Sequence, residues 1–368
     1  MAPRVRSSRK GSHLAGERVA DYDYELPPHR IARYPAERRD ESHLLVVPPG
    51  DAPFEDRLFR DIVSLCRAGD VLVVNESRVL PCRLLGRKPT GAPSEILLIR
   101  PEPTSGDPRV WEALVRPGSK LKPGRTVVVA HDLSVEILDS APGSGRVVRL
   151  VTELEPEEAL ARHGHVPLPP YLGREAEALD RERYQTVYAR TPGSVAAPTA
   201  GLHFTNDLLT ALERAGVRLA AVTLHVGIGT FRPVEAEDPA DHEMHREGYE
   251  VPEATARAIA EARASGGRIW AVGTTAARTL ESAADGEGRV RPGAGSTDLF
   301  IRPPYRFRAV DRLVTNFHLP RSTLLMLAAA FGGYERVMAA YRHAIAGPYR
   351  FYSYGDAMAL LGRGEDGA

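Results

Sequence analysis

Hydrophobic and polar positions are arranged along the chain in two textures. "SHLLVVPP" (42–49) reads as a strand. Residues 55 to 67 place Leu58, Phe59, Ile62, Val63 and Cys66 on one stripe, which predicts an amphipathic helix stopped at Gly69. "DVLVVNESRVL" (70–80) predicts a buried strand that runs into a polar turn at Asn75–Ser77. From about 78 to 155 the runs become short and β-like: "CRLLGRK", "EILLIRP", "RVWEALVRP", "TVVVA", "LSVEILD" and "RVVRLVTE", separated by Gly, Pro and Ser turns. Strands at regular spacing with no helical stretch between them predict a small barrel or sandwich. The first texture then returns. "TNDLLTALERAG", "EATARAIAEARASGG", "AARTLESAA", "STLLMLAAAF" and "YERVMAAYRHAIA" are helical patterns, and "VRLAAVTLHVG", "RIWAVGTT", "TDLFI" and "RLVTNFHL" are strands. This alternation predicts an α/β domain with a mixed, largely parallel sheet, interrupted by an inserted small all-β barrel. The expected division is a disordered extension over 1–20, the α/β domain over 21–77 and 156–368, and the barrel over 78–155.

Composition changes this picture little. A chain of 368 residues with 43% hydrophobic and 26% charged residues is ordinary for a globular protein. Lys+Arg and Asp+Glu are both 48, so no global field argues for nucleic acid, although a local basic face remains compatible with zero net charge. The positive charge is nearly all arginine, with lysine only at 10, 88, 120 and 122. Cys66 and Cys82 form no metal or redox pattern, which fits a reducing cytoplasm, and Cys66 falls on a core stripe. "LLMLAAAF" (324–331) is far short of a membrane span, and the basic N-terminus lacks the apolar region of a secretory signal.

Five polar motifs fall at the ends of the expected strands: "PTAGLHFT" (198–205), "LHVGIGTF" (224–231), "DHEMHREGYEV" (241–251), "VGTTAARTLE" (272–281) and "TNFHLPRST" (315–323). In open α/β sheets, ligands bind beyond the carboxyl ends of the strands. Thr274 and Thr275 open a helix after a strand, where free N–H groups suit a carboxylate or phosphate; a plain N-cap is the competing explanation. Ser322 and Thr323 repeat the arrangement after Pro320. His203, His225, His242, His245 and His318 all lie in these motifs. "HEMH" lacks the helical H-x-x-x-H spacing that puts two imidazoles one turn apart, so proton exchange is favoured over metal ligation. Read as a strand, "HREGYEV" puts His245, Glu247 and Tyr249 on one face and His242 on the other. "HVGIGTF" suits a tight turn, but no G-x-G-x-x-G is present, so the usual dinucleotide fingerprint is missing.

Together these motifs closely resemble the S-adenosylmethionine:tRNA ribosyltransferase-isomerase family of queuosine biosynthesis. The resemblance spans nearly the whole chain after about residue 20. It also draws on "YELPPHRIARYP", "VVNESRVLPCRLLGRK", "PLPPY", "RYQTVYA" and "YRFYSYGDAM". Two departures stand out: Pro303–Pro304 where the family usually has Pro-Gly, and His43 where Arg usually follows the strand-leading Ser. The resemblance implies an α/β domain with an inserted barrel. It implies transfer and isomerisation of the ribosyl part of S-adenosylmethionine onto 7-aminomethyl-7-deazaguanine at the tRNA wobble position, giving epoxyqueuosine, adenine and methionine. No metal is implied, and no cofactor beyond S-adenosylmethionine as substrate.

Such a reaction needs a base for the C5′ hydrogens acidified by the sulfonium, a proton for departing adenine and an anion site for the methionine carboxylate. The expected roles follow. His203 or His225 is the C5′ base, and His245 with Glu247 is a proton-transfer pair. Thr274, Thr275 and Arg278 hold the carboxylate or a tRNA phosphate. Asn316 and His318 orient ribose or deazaguanine. Thr199, Thr230, Ser322 and Thr323 complete the substrate contacts. Asp356 binds a substrate amine or base edge, or else caps a final helix. Arg302, Arg306 and Arg308 in "RPPYRFRAVDR" (302–312) contact tRNA, since basic residues with interleaved aromatics suit phosphates and unstacked bases. The competing readings are a metal-dependent hydrolase built on His203, His225, His242, His245 and His318, and a non-catalytic RNA-binding module.

Overall fold

The computed structural model describes residues 15–227, 234 and 236–362. In chain order its strands and helices are β1 (His43–Val47), β2 (Glu55–Leu58), β3 (Val71–Asn75), β4 (Ser77–Val79), β5 (Arg83–Arg87), β6 (Pro93–Pro101), β7 (Val110–Arg116), β8 (Thr126–Ala130), β9 (Leu133–Ala141), β10 (Gly145–Val151), α1 (Pro156–His163), α2 (Asp180–Arg183), β11 (Thr191–Ser194), α3 (Asn206–Arg214), β12 (Arg218–Leu224), β13 (Glu247–Val251), α4 (Glu253–Ala264), β14 (Ile269–Val272), α5 (Gly273–Ala283), β15 (Gly293–Thr297), β16 (Arg312–Asn316), α6 (Thr323–Gly332), α7 (Tyr334–Ala346) and β17 (Ala357–Leu360).

A nine-stranded sheet of order β15-β13-β12-β3-β14-β16-β17-β1-β2 carries the α/β part. Its centre, β12-β3-β14-β16, is parallel. Every residue of β3 and of β14 is buried, the signature of parallel strands covered on both faces. α4 covers one face with Thr255, Ala258, Ile259 and Ala262, the i, i+3, i+4, i+7 spacing of a single stripe. α5 is buried almost all round, as is the apolar α6. Trp270 on β14 is fully buried, and its indole N–H donates to Asp70 at 2.9 Å. The six strands β10-β7-β6-β5-β8-β9 close an antiparallel barrel. β9 alternates in period two, sending Leu133, Val135 and Ile137 inward. Ala159 and Leu160 of α1 join the same core. β4 and β11 pair in parallel where the chain leaves for the barrel and returns.

Three local expectations change. Residues 55–67 form β2 and a short 3-10 helix, Phe59–Ser64, in place of an α-helix. The predicted stripe survives, because Phe59, Ile62 and Cys66 still turn inward. The strand expected at "TDLFI" lies upstream, at β15. The Leu299 carbonyl accepts from Arg278 Nε at 3.2 Å and takes no ladder partner, while Ile301 is buried in the core. Asp356 precedes β17 and caps no helix. The expected extension falls partly on residues 1–14, which lie outside the described residues, whereas Val19, within it, is a core residue. No described helix is long and apolar enough to cross a membrane.

Candidate active site

Because β3, β12, β14 and β16 run parallel, Asn75, His225, Gly273 and Asn316 all arrive at one end of the sheet. A cleft opens there. Thr199, Thr274, Thr275, Asn316, His318 and Ser322 line it, drawn from three of the five motifs.

The start of α5 forms one wall. Its N-cap is Val272, which offers no side-chain acceptor, and Gly273 takes φ +88°. Thr274 and Thr275 are therefore not caps, and no side chain caps the first turn. Thr275 Oγ1 instead lies 3.3 Å from Asn75 Nδ2, which also donates to the Leu224 carbonyl at 3.0 Å. Asn75 Oδ1 accepts from the N–H groups of Ser77 and Leu224, so this one side chain ties three strand ends together. α6 differs. Ser322 Oγ accepts from Leu325 N at 3.2 Å and donates to Leu319 O at 2.7 Å, so that helix start is already satisfied. Thr323 is half-buried and does not line the cleft.

Asn316 forms the opposite wall. Its Nδ2 donates to the Tyr352 carbonyl at 3.1 Å, which fixes the orientation of the amide, because a carbonyl can only accept. The same Nδ2 faces His203 Nε2 at 3.3 Å, so Nε2 must carry the lone pair. His203 Nδ1–H then donates to Ser42 Oγ at 2.6 Å, and the Ser42 hydroxyl donates to Arg39 O at 3.1 Å. The relay leaves Asn316 Oδ1 buried without a partner. His203 stacks on Phe59 at 4.8 Å between ring centroids. Burial, with Arg350 and Arg39 nearby, pushes its pKa down to about 3. A neutral imidazole with both nitrogens engaged is a poor base, so the geometry turns His203 towards positioning.

His318 contacts Thr315 Oγ1 through Nε2 at 2.6 Å, and burial lowers its pKa to about 3. Its backbone is clamped: the N–H donates to Tyr341 Oη at 2.7 Å, and the carbonyl accepts from the Tyr24 hydroxyl. His225 is half-buried beside Val226, a lining residue. Its Nδ1 is buried without a partner, and burial lowers its pKa. A Cβ on Gly193 would stand 2.8 Å from this ring, so glycine there makes room for it. Thr230 lies outside the described residues.

The expected His245–Glu247 pair is not built. β13 begins only at Glu247, and His245 is exposed. Glu247 is buried; it pairs with Arg278 and accepts from Gly227 N at 2.9 Å. Arg278 braces β13 against α5 and does not line the cleft, while its Nη2 is buried without a partner. His242 meets Phe300 edge-on at 5.5 Å. Asp356 is fully buried, with its oxygens on the N–H groups of His43 (2.9 Å) and Arg350 (2.7 Å), and it staples loops without facing the cleft. Its Oδ2 also lies 3.6 Å from His43 Nδ1. Among the described residues, no group of three or more His, Cys, Asp or Glu side chains is placed to hold a metal ion, so the histidines do not form the cluster that a metal-dependent hydrolase would need.

On the surface, Arg306 and Arg308 are exposed, and Arg302 stands over the Phe300 ring at 6.0 Å. Sequence reasoning missed what holds their loop. Buried Glu281 of α5 accepts from the N–H groups of Arg308 (2.9 Å), Ala309 (2.9 Å) and Val310 (3.0 Å), and from Tyr305 Oη (3.2 Å). The one acidic residue of α5 was the available signal.

Residues 19–360 match the family model described as "Queuosine biosynthesis protein". An S-adenosylmethionine:tRNA ribosyltransferase-isomerase of Pelotomaculum thermopropionicum is 54% identical over 93% of this chain and 99% of its own length. The Thermotoga maritima protein of the same name is 50% identical over 94% of this chain and all of its own. A crystal structure of S-adenosylmethionine tRNA ribosyltransferase from Thermotoga maritima superposes with a TM-score of 0.53 at 41% identity, covering 92% of this chain and 99% of that one.

Proposed function

This chain belongs to the S-adenosylmethionine:tRNA ribosyltransferase-isomerase family of queuosine biosynthesis, and from that premise we propose that it moves the ribosyl group of S-adenosylmethionine onto 7-aminomethyl-7-deazaguanine at the wobble position of tRNA in the cytoplasm. The products are epoxyqueuosine, adenine and methionine. The observation that carries this reading is the cleft at the parallel strand ends, with an uncapped helix start on one side and a fixed, unpartnered acceptor on the other.

In this proposal the open first turn of α5, with Thr274 and Thr275, receives the methionine carboxylate, where N–H groups and the helix dipole favour negative charge. Asn316 Oδ1 accepts from an O–H or N–H of ribose or base. Such a group rejects analogues that lack the donor, because it would otherwise stay buried and unpaired. His225 is the candidate C5′ base. It is neutral near pH 7, and its Nδ1 is uncommitted. His318 and Thr199 contact sugar or adenine. Glu247 with Arg278 positions the β12 end that carries His225, through the bond from Gly227. The base would leave the anticodon stack to enter the cleft. Arg302, Arg306 and Arg308 contact tRNA phosphates, and the barrel, taken as the insert over 78–155, supports the stem-loop.

The test is a mass measurement on tRNA carrying the deazaguanine precursor, incubated with the protein and S-adenosylmethionine. The expected outcome is a mass gain on the RNA matched by free adenine and methionine. No mass gain on this tRNA with both substrates saturating would overturn the substrate assignment.

A further inference from the structure

Behind the Asn316–His203–Ser42 relay lies a second, smaller pocket. Arg39, Ser42, Arg183, His203 and Tyr354 line it, together with Ser353, which also lines the central cleft. Its charge is unbalanced. Arg39 donates to the carbonyls of Leu202 (3.0 Å) and Glu182 (3.1 Å), and Arg183 to those of Glu37 (3.3 Å) and Ala36 (2.5 Å). These partners are neutral, and each guanidinium has five donors, so both retain capacity. Arg183 Nε is buried without a partner. No carboxylate lines the pocket. Asp180 reaches its edge only through the Tyr354 hydroxyl, at 2.7 Å, and is already matched by Arg174. Asp356, behind Gly355, is matched by backbone N–H groups and by Arg350. Burial and the neighbouring Arg183 charge pull Arg39 below its usual range, against a smaller opposing pull from the Glu182 carboxylate, which does not line the pocket.

We propose that the pocket walled by Arg39 and Arg183 is a phosphate-oxyanion subsite, taking one backbone phosphate of the RNA strand whose base enters the central cleft. Two guanidinium groups present forked donors that match phosphate geometry. Ser353 lines both cavities, which places them side by side, and in this proposal one nucleotide puts its phosphate in one and its base in the other. This rests on the tRNA reading above and adds to it a site distinct from the exposed 302–312 loop.

The experiment has two arms on the full chain. In the first, inorganic phosphate is titrated against thermal unfolding, with chloride at equal ionic strength as control. Phosphate is expected to raise the Tm of the parent and to do so far less for Arg183→Gln. In the second, affinity for an anticodon stem-loop RNA is measured across a salt series. Arg183→Gln is expected to flatten the slope of log K against log salt by about 0.7, one phosphate on a single strand, and Arg183→Lys to restore most of it. Loss of the phosphate effect with an unchanged RNA slope would assign the site to free phosphate and not to RNA. A parent that phosphate stabilises no more than chloride would overturn the proposal, even if Arg183→Gln failed to fold. Neither arm requires turnover, so failure here and failure of the ribosyl-transfer reading are separately visible.

Discussion

Asn316 Nδ2 lies 3.3 Å from His203 Nε2, and this contact, with the Tyr352 carbonyl, leaves Oδ1 of the amide as an unpaired acceptor. Replacing Asn316 with Ala should lower kcat/KM by about tenfold or more, the scale of one buried hydrogen bond of about 1–3 kcal/mol. His203→Gln should cost less, because it reaches the central cleft only through Asn316. Steady-state kinetics of both variants, with circular dichroism as the folding control, checks this; parent-like kcat/KM in Asn316→Ala would remove the residue from the site.

Acid should weaken the fold through His203 and His318. Both have native pKa values of about 3 against 6.5 for the free side chain. Between these values the unfolded chain takes up protons that the native state excludes. The contribution is therefore complete above pH 6.5 and is lost as pH falls towards 3. One such histidine accounts for about 2 kcal/mol between pH 7 and pH 5. Urea unfolding at the two pH values should show His318→Gln losing less stability than the parent, by about that amount. An equal loss would contradict the burial of a neutral imidazole.

Glu247 and His245 should separate cleanly. Removing the carboxylate strands a buried guanidinium, so Glu247→Ala should destabilise by about 3–5 kcal/mol. His245 is exposed, and His245→Ala should stay within about 0.5 kcal/mol of the parent and near its activity. Denaturant unfolding and single-turnover rates would decide. A large rate loss in His245→Ala with an intact fold would restore the proton-transfer pair.

Glu281 should govern tRNA and not S-adenosylmethionine. Glu281→Ala frees the loop at Arg308–Val310 and should raise the KM for tRNA while leaving that for S-adenosylmethionine unchanged. Replacing Arg302, Arg306 and Arg308 together with Ala should flatten the salt dependence of RNA binding by about 2, or about 0.7 per phosphate contact. A parallel rise in both KM values would mark Glu281 as a general stability residue.

The sheet, the barrel and the clustering of the motifs were legible because parallel strands and alternating barrel strands leave strong periodic signals, as in β3 and β9. The 3-10 turn at Phe59 was hidden because a stripe at 58, 59, 62, 63 and 66 suits either helix type. The fate of Glu247 was hidden for another reason. Alternation places a side chain on a face, but Arg278, 31 residues later, decides what that face meets. The same holds for Asp356 and Ser322, whose partners are backbone groups that no side-chain pattern reveals. The Arg39–Arg183 pocket was illegible because its two cations come from segments 144 positions apart, each unremarkable alone.

The parallel pairing of β4 with β11, Thr191 against Ser77 and Ser194 against Val79, brings the chain back to the point from which it left. Everything from Leu80 to Arg190 is thus an excursion whose two ends are stitched side by side. Lengthening or trimming it adds little closure entropy, since that cost grows only with the logarithm of loop length. The registers of β3 with β12 and β14 are set outside the excursion, so a change in its length leaves the parallel centre of the sheet in register.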